Sequence, residues 1–233
     1  MICFLDYRTS PVEKLALEAL GLDICLIPKY NELYPAIDGH VDIQISLIDK
    51  ASRLVVINND LPTTFKNYLL SNNIKYINSS KKLLNKYPHN ISLNAYISRN
   101  YLIHNTKYTD PNILNYINDK EIINIKQGYS NCSILHIKEK VVITNDPGIY
   151  NILLEHNFDI LLLPYGDIIL PDFDYGFIGG VGGMISPDTL AFFGSLDHYI
   201  YGEEVKTFLK KHNVTPLYLY NGKLIDRGGL LIL

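Results

Sequence analysis

Tryptophan is missing from this 233-residue chain, methionine occurs twice and cysteine only three times. Cys3, Cys25 and Cys132 are an odd set without the paired spacing of a zinc site, which excludes a disulfide framework and leaves no metal or cofactor expected. Charge is sparse as well, at 19% Asp, Glu, Lys and Arg with a net of −3. Lys82, Lys210 and Lys211 are scattered among acids, so no basic stripe is present to track phosphates, and nucleic acid is not an expected partner. Long apolar runs are lacking too. Ile160 to Leu163 and Leu230 to Leu233 are far shorter than the roughly 18 residues of a membrane helix. Asp6 breaks the N-terminal run before it reads as a signal peptide, so a cytoplasmic protein without membrane contact is expected.

What the chain does have is 47% hydrophobic residues and a pattern that recurs five times. A short apolar strand ends in Asp or Asn, a helix follows, then a second strand, and a turn rich in Gly or His leads to a third. The first unit runs through Ile2 to Leu5, a capping box at Ser10-Pro11-Val12-Glu13, and a helix placing Val12, Leu15, Ala16 and Ala19 on one face. Gly21 stops that helix, strand Asp23 to Ile27 follows, and Asp38-Gly39-His40 leads to an alternating strand Asp42 to Leu47. Prolines mark four helix starts, Pro11, Pro62, Pro111 and Pro147, a recurrence that argues for true repetition. One domain over 1–233 is expected, with units of approximately 1–52, 53–99, 100–139, 140–188 and 189–233. The fold class is α/β, and the excess of strand over helix favours a closed ring of five units over an open doubly wound sheet.

In such a ring, equivalent loops converge on one axis. The ends of the first strands deliver Asp6, Asn58 to Asp60, His104, Asn145 and Asp146; Asp60, Asp110 and Asp146 read as helix caps. The turns into the third strands deliver His40 and Asp42, His89 and Asn90, Cys132, the glycines from Gly176 to Gly183, and Asp226 with Arg227. No helix follows those turns, so capping does not explain their polar residues. Strand alternation would put His40, Asp42 and Gln44 on one face. Cys3 and Cys25 lie inside apolar strands and read as core.

Five ββαβ-like units, His40-Val41-Asp42 and a cysteine two units later resemble the pentein superfamily of guanidino-group-modifying proteins. The Gly-Gly stretches at Gly179-Gly180, Gly182-Gly183 and Gly228-Gly229 resemble the family's unit ends. The resemblance implies a five-bladed α/β propeller, with Cys132 as nucleophile, His40 as proton shuttle and Asp42 gripping a substrate guanidinium. Asp226 and Asp6 are the acids that could partner His40, and Asp6, Asp226, Arg227, Gly179 and Gly180 complete the implied substrate-binding set. Two functions then stand open: a Cys-dependent hydrolase or transferase of a small guanidino or amidino molecule, or a non-catalytic ring that binds a ligand or a protein partner. In the second, Cys132 is a small core residue, and the glycines of the fourth unit only allow a tight bend.

Overall fold

A computed structural model of the chain describes residues 1–117 and 119–233. It contains five three-stranded sheets, the blades of a five-bladed α/β propeller. In the second sheet, Leu54–Ile57 pairs antiparallel with Ile45–Asp49 and, across the helix Thr63–Ser71, parallel with Lys75–Asn78. A parallel pair needs a crossover, and the proline-marked helix supplies it. The third sheet repeats this with Tyr96–Ile97, Tyr101–His104 and Glu121–Asn124, and the fourth with Ile134–Lys138, Val141–Thr144 and Asp159–Leu162. Gly182–Ser186, Thr189–Phe192 and Thr215–Tyr218 form the fifth. The first sheet closes the ring: Ile2–Asp6 pairs parallel with Asp23–Ile27 and antiparallel with Leu231–Ile232, Cys3 lying opposite Ile232. Each sheet therefore straddles two sequence units. The boundaries near 52, 99, 139 and 188 fall in hairpin turns inside sheets, because the last strand of one unit pairs with the first of the next.

The middle strand of every blade is buried on both faces, which is why these segments read as unbroken apolar runs. Alternate residues serve opposite sides. Val55 and Ile57 pack with Phe4, Ile27 and Phe65, whereas Val56 packs with Leu102 and Ile113. Ile103 then meets Val142, Ile143 meets Leu190, and Ala191 meets Leu5. The five hydrophobic clusters thus fill the five gaps between neighbouring blades. Cys3 and Cys25 belong to two of them, as their strands suggest.

Local chemistry sets the helix ends. Ser10 Oγ accepts from Glu13 N at 3.3 Å and Glu13 Oε2 accepts from Ser10 N at 2.7 Å, completing the expected capping box. Asp110 and Asp146 cap the helices beginning at Pro111 and Pro147. Asp60 does not cap. Pro62 itself occupies the cap position of Thr63–Ser71, and the Asp60 carboxylate instead accepts from Tyr30 Oη at 2.6 Å. The first helix, Pro11–Glu18, is also turned from its expected orientation: Val12 and Leu15 are 61% and 64% exposed, while Glu13 and Leu17 face inward. Glu13 is drawn in by Arg227, whose guanidinium lies 3.2 Å away.

Candidate active site

The strand expected from Asp42 begins only at Ile45, and Val41–Gln44 is a single helical turn with His40 at its N-terminal cap position. Ser130–Ser133 is likewise a helical turn before Ile134–Lys138, and Ile178–Val181 a 3-10 turn before Gly182–Ser186. Helical rather than alternating geometry therefore aims His40, Asp42 and Gln44. The turns satisfy their own backbone, with Ile45 N donating to Val41 O and Ser133 N to Tyr129 O at 3.0 Å. The first turn is braced from two sides: Asp42 N donates to Gly228 O of the neighbouring blade at 3.3 Å, and Asn58 N, at the end of the paired strand of its own blade, to Gln44 O at 2.8 Å.

Polar residues at the ends of the middle strands act as this scaffold. Thr144 Oγ1 donates to Ser133 O at 2.7 Å, and Asn145 Oδ1 accepts from Ile178 N at 2.9 Å. His104 Nε2 lies 2.9 Å from Gly128 O, and burial lowers its pKa to about 4, so it is a neutral donor holding the third turn.

The turns themselves bring the reactive groups together. Cys132 Sγ donates to Asp42 Oδ2 at 2.9 Å. Asn94 Nδ2 reaches both Cys132 Sγ at 3.1 Å and Asp42 O at 2.8 Å. The Asn94 Oδ1 atom accepts from the backbone N of Asn131 at 3.1 Å and of Cys132 at 3.2 Å. Beside this pair, His40 Nδ1 lies 3.9 Å from Asp226 Oδ1, and Asp226 accepts from Phe177 N at 2.8 Å and Gly228 N at 3.0 Å. Both His40 ring nitrogens and Asp42 Oδ1 are buried without a hydrogen-bond partner. Native interiors rarely leave such groups unpaired, and here three unpaired polar atoms fall beside one thiol.

Burial pushes the Asp42 carboxyl up to about 6; nearby His40 opposes that rise and Asp226 adds to it. Burial also raises the Cys132 thiol well above its ordinary value, reinforced by the charges of Asp42 and Asp226. Without a ligand the sulfur is therefore a protonated donor. A cation bound between these acids reverses the balance, favouring both the carboxylate and the thiolate.

His40, Cys132 and Asp226, none more than 3% exposed, line the deep end of a cavity of about 260 Å³. Phe173 and Tyr175, 50% and 39% exposed, flank its outer end. A second cavity of about 1160 Å³ lies among the five strands nearest the axis, and Asp42 lines that one rather than the smaller, touching the small cavity's lining through its bond with Cys132 Sγ. Cys132 and His40 line only the smaller. Among the described residues no group of three His, Cys, Asp or Glu side chains is arranged to hold a metal ion.

Of the residues singled out in the sequence, the structure brings His40, Asp42, Cys132 and Asp226 together, and makes Asp226 rather than Asp6 the neighbour of His40. Asp6 is paired with Arg8, whose Nε lies 2.9 Å from Oδ1 and whose Nη2 contacts Oδ2. Arg227 is committed to Glu13 and to Arg8 O. Gly179 and Gly180 back the site rather than line the small cavity. A Cβ on Gly180 would stand 1.8 Å from Asp226 Oδ1, and one on Gly179 2.2 Å from Asn131 O. His89 is exposed and outside the site. Asn94, absent from the sequence expectations, is the residue in its place. It lies two residues before the strand Tyr96–Ile97, as Cys132 lies two before Ile134, and that shared offset was the available signal.

Five sheets closed into a ring around such a site define a protein of the pentein fold, and solved structures share it. SxtG, an amidinotransferase from Microseira wollei in the saxitoxin biosynthetic pathway, superposes with a TM-score of 0.57 at 11% identity, over 94% of this chain and 77% of that one. The inosamine-phosphate amidinotransferase StrB1 from Streptomyces griseus gives 0.56 at 12% identity with the same coverage, 94% and 77%. A mutant of DDAH from Pseudomonas aeruginosa, complexed with citrulline, gives 0.50 at 7% identity, over 93% and 91%. No curated protein matches the sequence. The chain belongs to the family of unknown function DUF6873, which it matches over residues 4–231.

Proposed function

We propose that this protein is an enzyme acting on a small guanidino or amidino compound, with Cys132 as nucleophile. The observation that carries the reading is a thiol held by Asp42 and Asn94 in the same small cavity as a His40–Asp226 pair. The likeness in fold to amidinotransferases and DDAH supports it.

A planar cation is what these acids suit. Asp42 and Asp226 offer carboxylate oxygens to N–H donors, and a guanidinium presents paired donors at matching spacing. With the cation bound, the thiol proton passes to His40 and the sulfur attacks the central carbon, forming a C–S bond. Collapse breaks one C–N bond, and His40 delivers its proton to the departing nitrogen. Water then adds to the amidino-thioether carbon with its proton taken by His40, the C–S bond breaks, and a urea-type product leaves with the thiol restored. In a transferase an amine takes the place of water. Asp226, 3.9 Å from His40 Nδ1, is the acid that faces the His40 ring during these proton transfers.

The test is turnover of a panel of guanidines and amidines, followed as released amine and ureido product. Cys132→Ser should abolish it, and His40→Asn should lower kcat by about 100-fold or more. Unchanged turnover in Cys132→Ser would refute the mechanism. The buried, protonated state of Cys132 favours one other reading, a non-catalytic binding site. Thermal stabilisation by a guanidine that persists in Cys132→Ala, with no turnover in the parent protein, would establish it.

A further inference from the structure

Above the reactive groups the cavity walls are aromatic. The Tyr34 and Tyr129 hydroxyls meet at 3.2 Å, although the residues lie far apart in sequence. The Tyr129 ring stands 6.0 Å from Phe177, Tyr34 5.4 Å from Phe173, and Tyr175 6.5 Å from Phe177. Beyond the site residues themselves, the one charged side chain lining the cavity among the described residues is Asp174, an acid. No Lys or Arg lines it among the described residues. The basic side chains near the Tyr34 loop are already engaged: Arg8 by Asp6 and the carbonyls of Pro35 and Ala36, and Lys29 by Asp38 at 3.6 Å.

Resting on the guanidino reading above, we propose that the substrate carries an apolar or aromatic substituent on its guanidino or amidino group and no carboxylate. Its class is the alkyl and aryl guanidines rather than the guanidino acids. A carboxylate in this cavity would find no cation, would face Asp174 and Asp226, and would lose its hydration without compensation. A ring or short alkyl chain would instead exchange water for the faces of Tyr34, Tyr129 and Phe177, which also favour a neighbouring delocalised cation. The volume, about 260 Å³, falls just below the ~300–1,000 Å³ of sites for drug-sized ligands, so the substituent is a single ring or a short chain.

The experiment compares kcat/KM for methylguanidine, phenylguanidine and benzylguanidine with that for arginine and 3-guanidinopropionate, and measures binding of the same compounds to Cys132→Ser by thermal shift. The aryl guanidines should exceed the guanidino acids by about 100-fold or more in kcat/KM. Equal or better use of the acids would overturn this inference while leaving the guanidino reading intact. Failure of every guanidine to react with the parent or stabilise Cys132→Ser would sink both. A second variant tests the missing cation directly: Asp174→Arg, at an exposed position, should raise kcat/KM for 3-guanidinopropionate relative to benzylguanidine at least about tenfold. An unchanged ratio would contradict the proposal.

Discussion

Asp42 should make the folded protein less stable at neutral pH than in mild acid. An aspartate ordinarily ionises near 3.8, and burial in this site raises Asp42 to about 6. The folded state therefore holds its proton more tightly than the unfolded chain. The resulting stabilisation is fully present below the unfolded value, falls as pH rises between the two values, and is gone once the folded carboxyl has ionised. The difference of about two units corresponds to ~3 kcal/mol. Asp42→Asn removes this titration. Its amide oxygen can still accept from Cys132 Sγ, but its N–H₂ replaces an oxygen that has no partner, at a cost of ~1–3 kcal/mol that does not depend on pH. Urea unfolding of parent and variant across pH 4 to 8 separates the two effects. Whatever the offset at pH 4, where part of the effect is already lost, the variant's stability relative to the parent should rise by a further ~2 kcal/mol by pH 8, equivalent to roughly 4–8 °C in Tm for a chain of this size. Parallel curves across that range would refute the idea that Asp42 is ionised at a cost in a ligand-free site. A bound guanidinium should lessen the parent's loss, because the cation supplies the missing partner.

Gly180→Ala should push the Asp226 carboxylate out of place, since the new methyl would stand 1.8 Å from Oδ1. Overpacking and the lost bonds from Phe177 N and Gly228 N predict a destabilisation of ~3 kcal/mol or more by thermal unfolding. In an Asp226→Ala background the same change should cost less than ~1 kcal/mol, because the clash is gone. Asn94→Ala removes the side-chain acceptor of Cys132 N and the donor to its sulfur, and should lower stability by ~2 kcal/mol along with turnover. Burial raises the Cys3 and Cys25 thiols to about 12 each, so iodoacetamide at pH 8 should leave both unmodified in the folded protein and alkylate them in urea.

The architecture was largely legible because it rests on local chemistry that repeats. Pro11, Pro111 and Pro147 begin helices, Ser10 and Glu13 close a capping box, and the middle strands carry apolar runs that burial on both faces requires. Which strand pairs with which was less legible. The strand after His40 belongs with Leu54–Ile57 rather than with the preceding helix, a long-range choice that periodicity does not encode. The site divided in the same way. His40, Asp42, Cys132 and Asp226 share the turns before the axial strands, so counting units brought them together. Their side-chain directions came from helical turns that a short polar-apolar alternation disguised as strand. Asp6 and Arg227 carried suitable charges but met their partners, Arg8 and Glu13, in tertiary contacts that no local pattern reveals. Asn94 was missed because its neighbours, Leu93 and Ala95, read as core, and only its offset from Tyr96–Ile97 sets it apart.

In the proposed mechanism Cys132 forms a bond to the carbon of a guanidine or amidine. Intact-protein and peptide mass spectrometry after rapid acid quench of a reacting mixture with benzylguanidine tests it most directly. An amidino adduct is expected on the peptide containing Cys132, present in the parent protein and absent from Cys132→Ser. Turnover that proceeds with no adduct, or an adduct carried by Cys3 or Cys25, would contradict it.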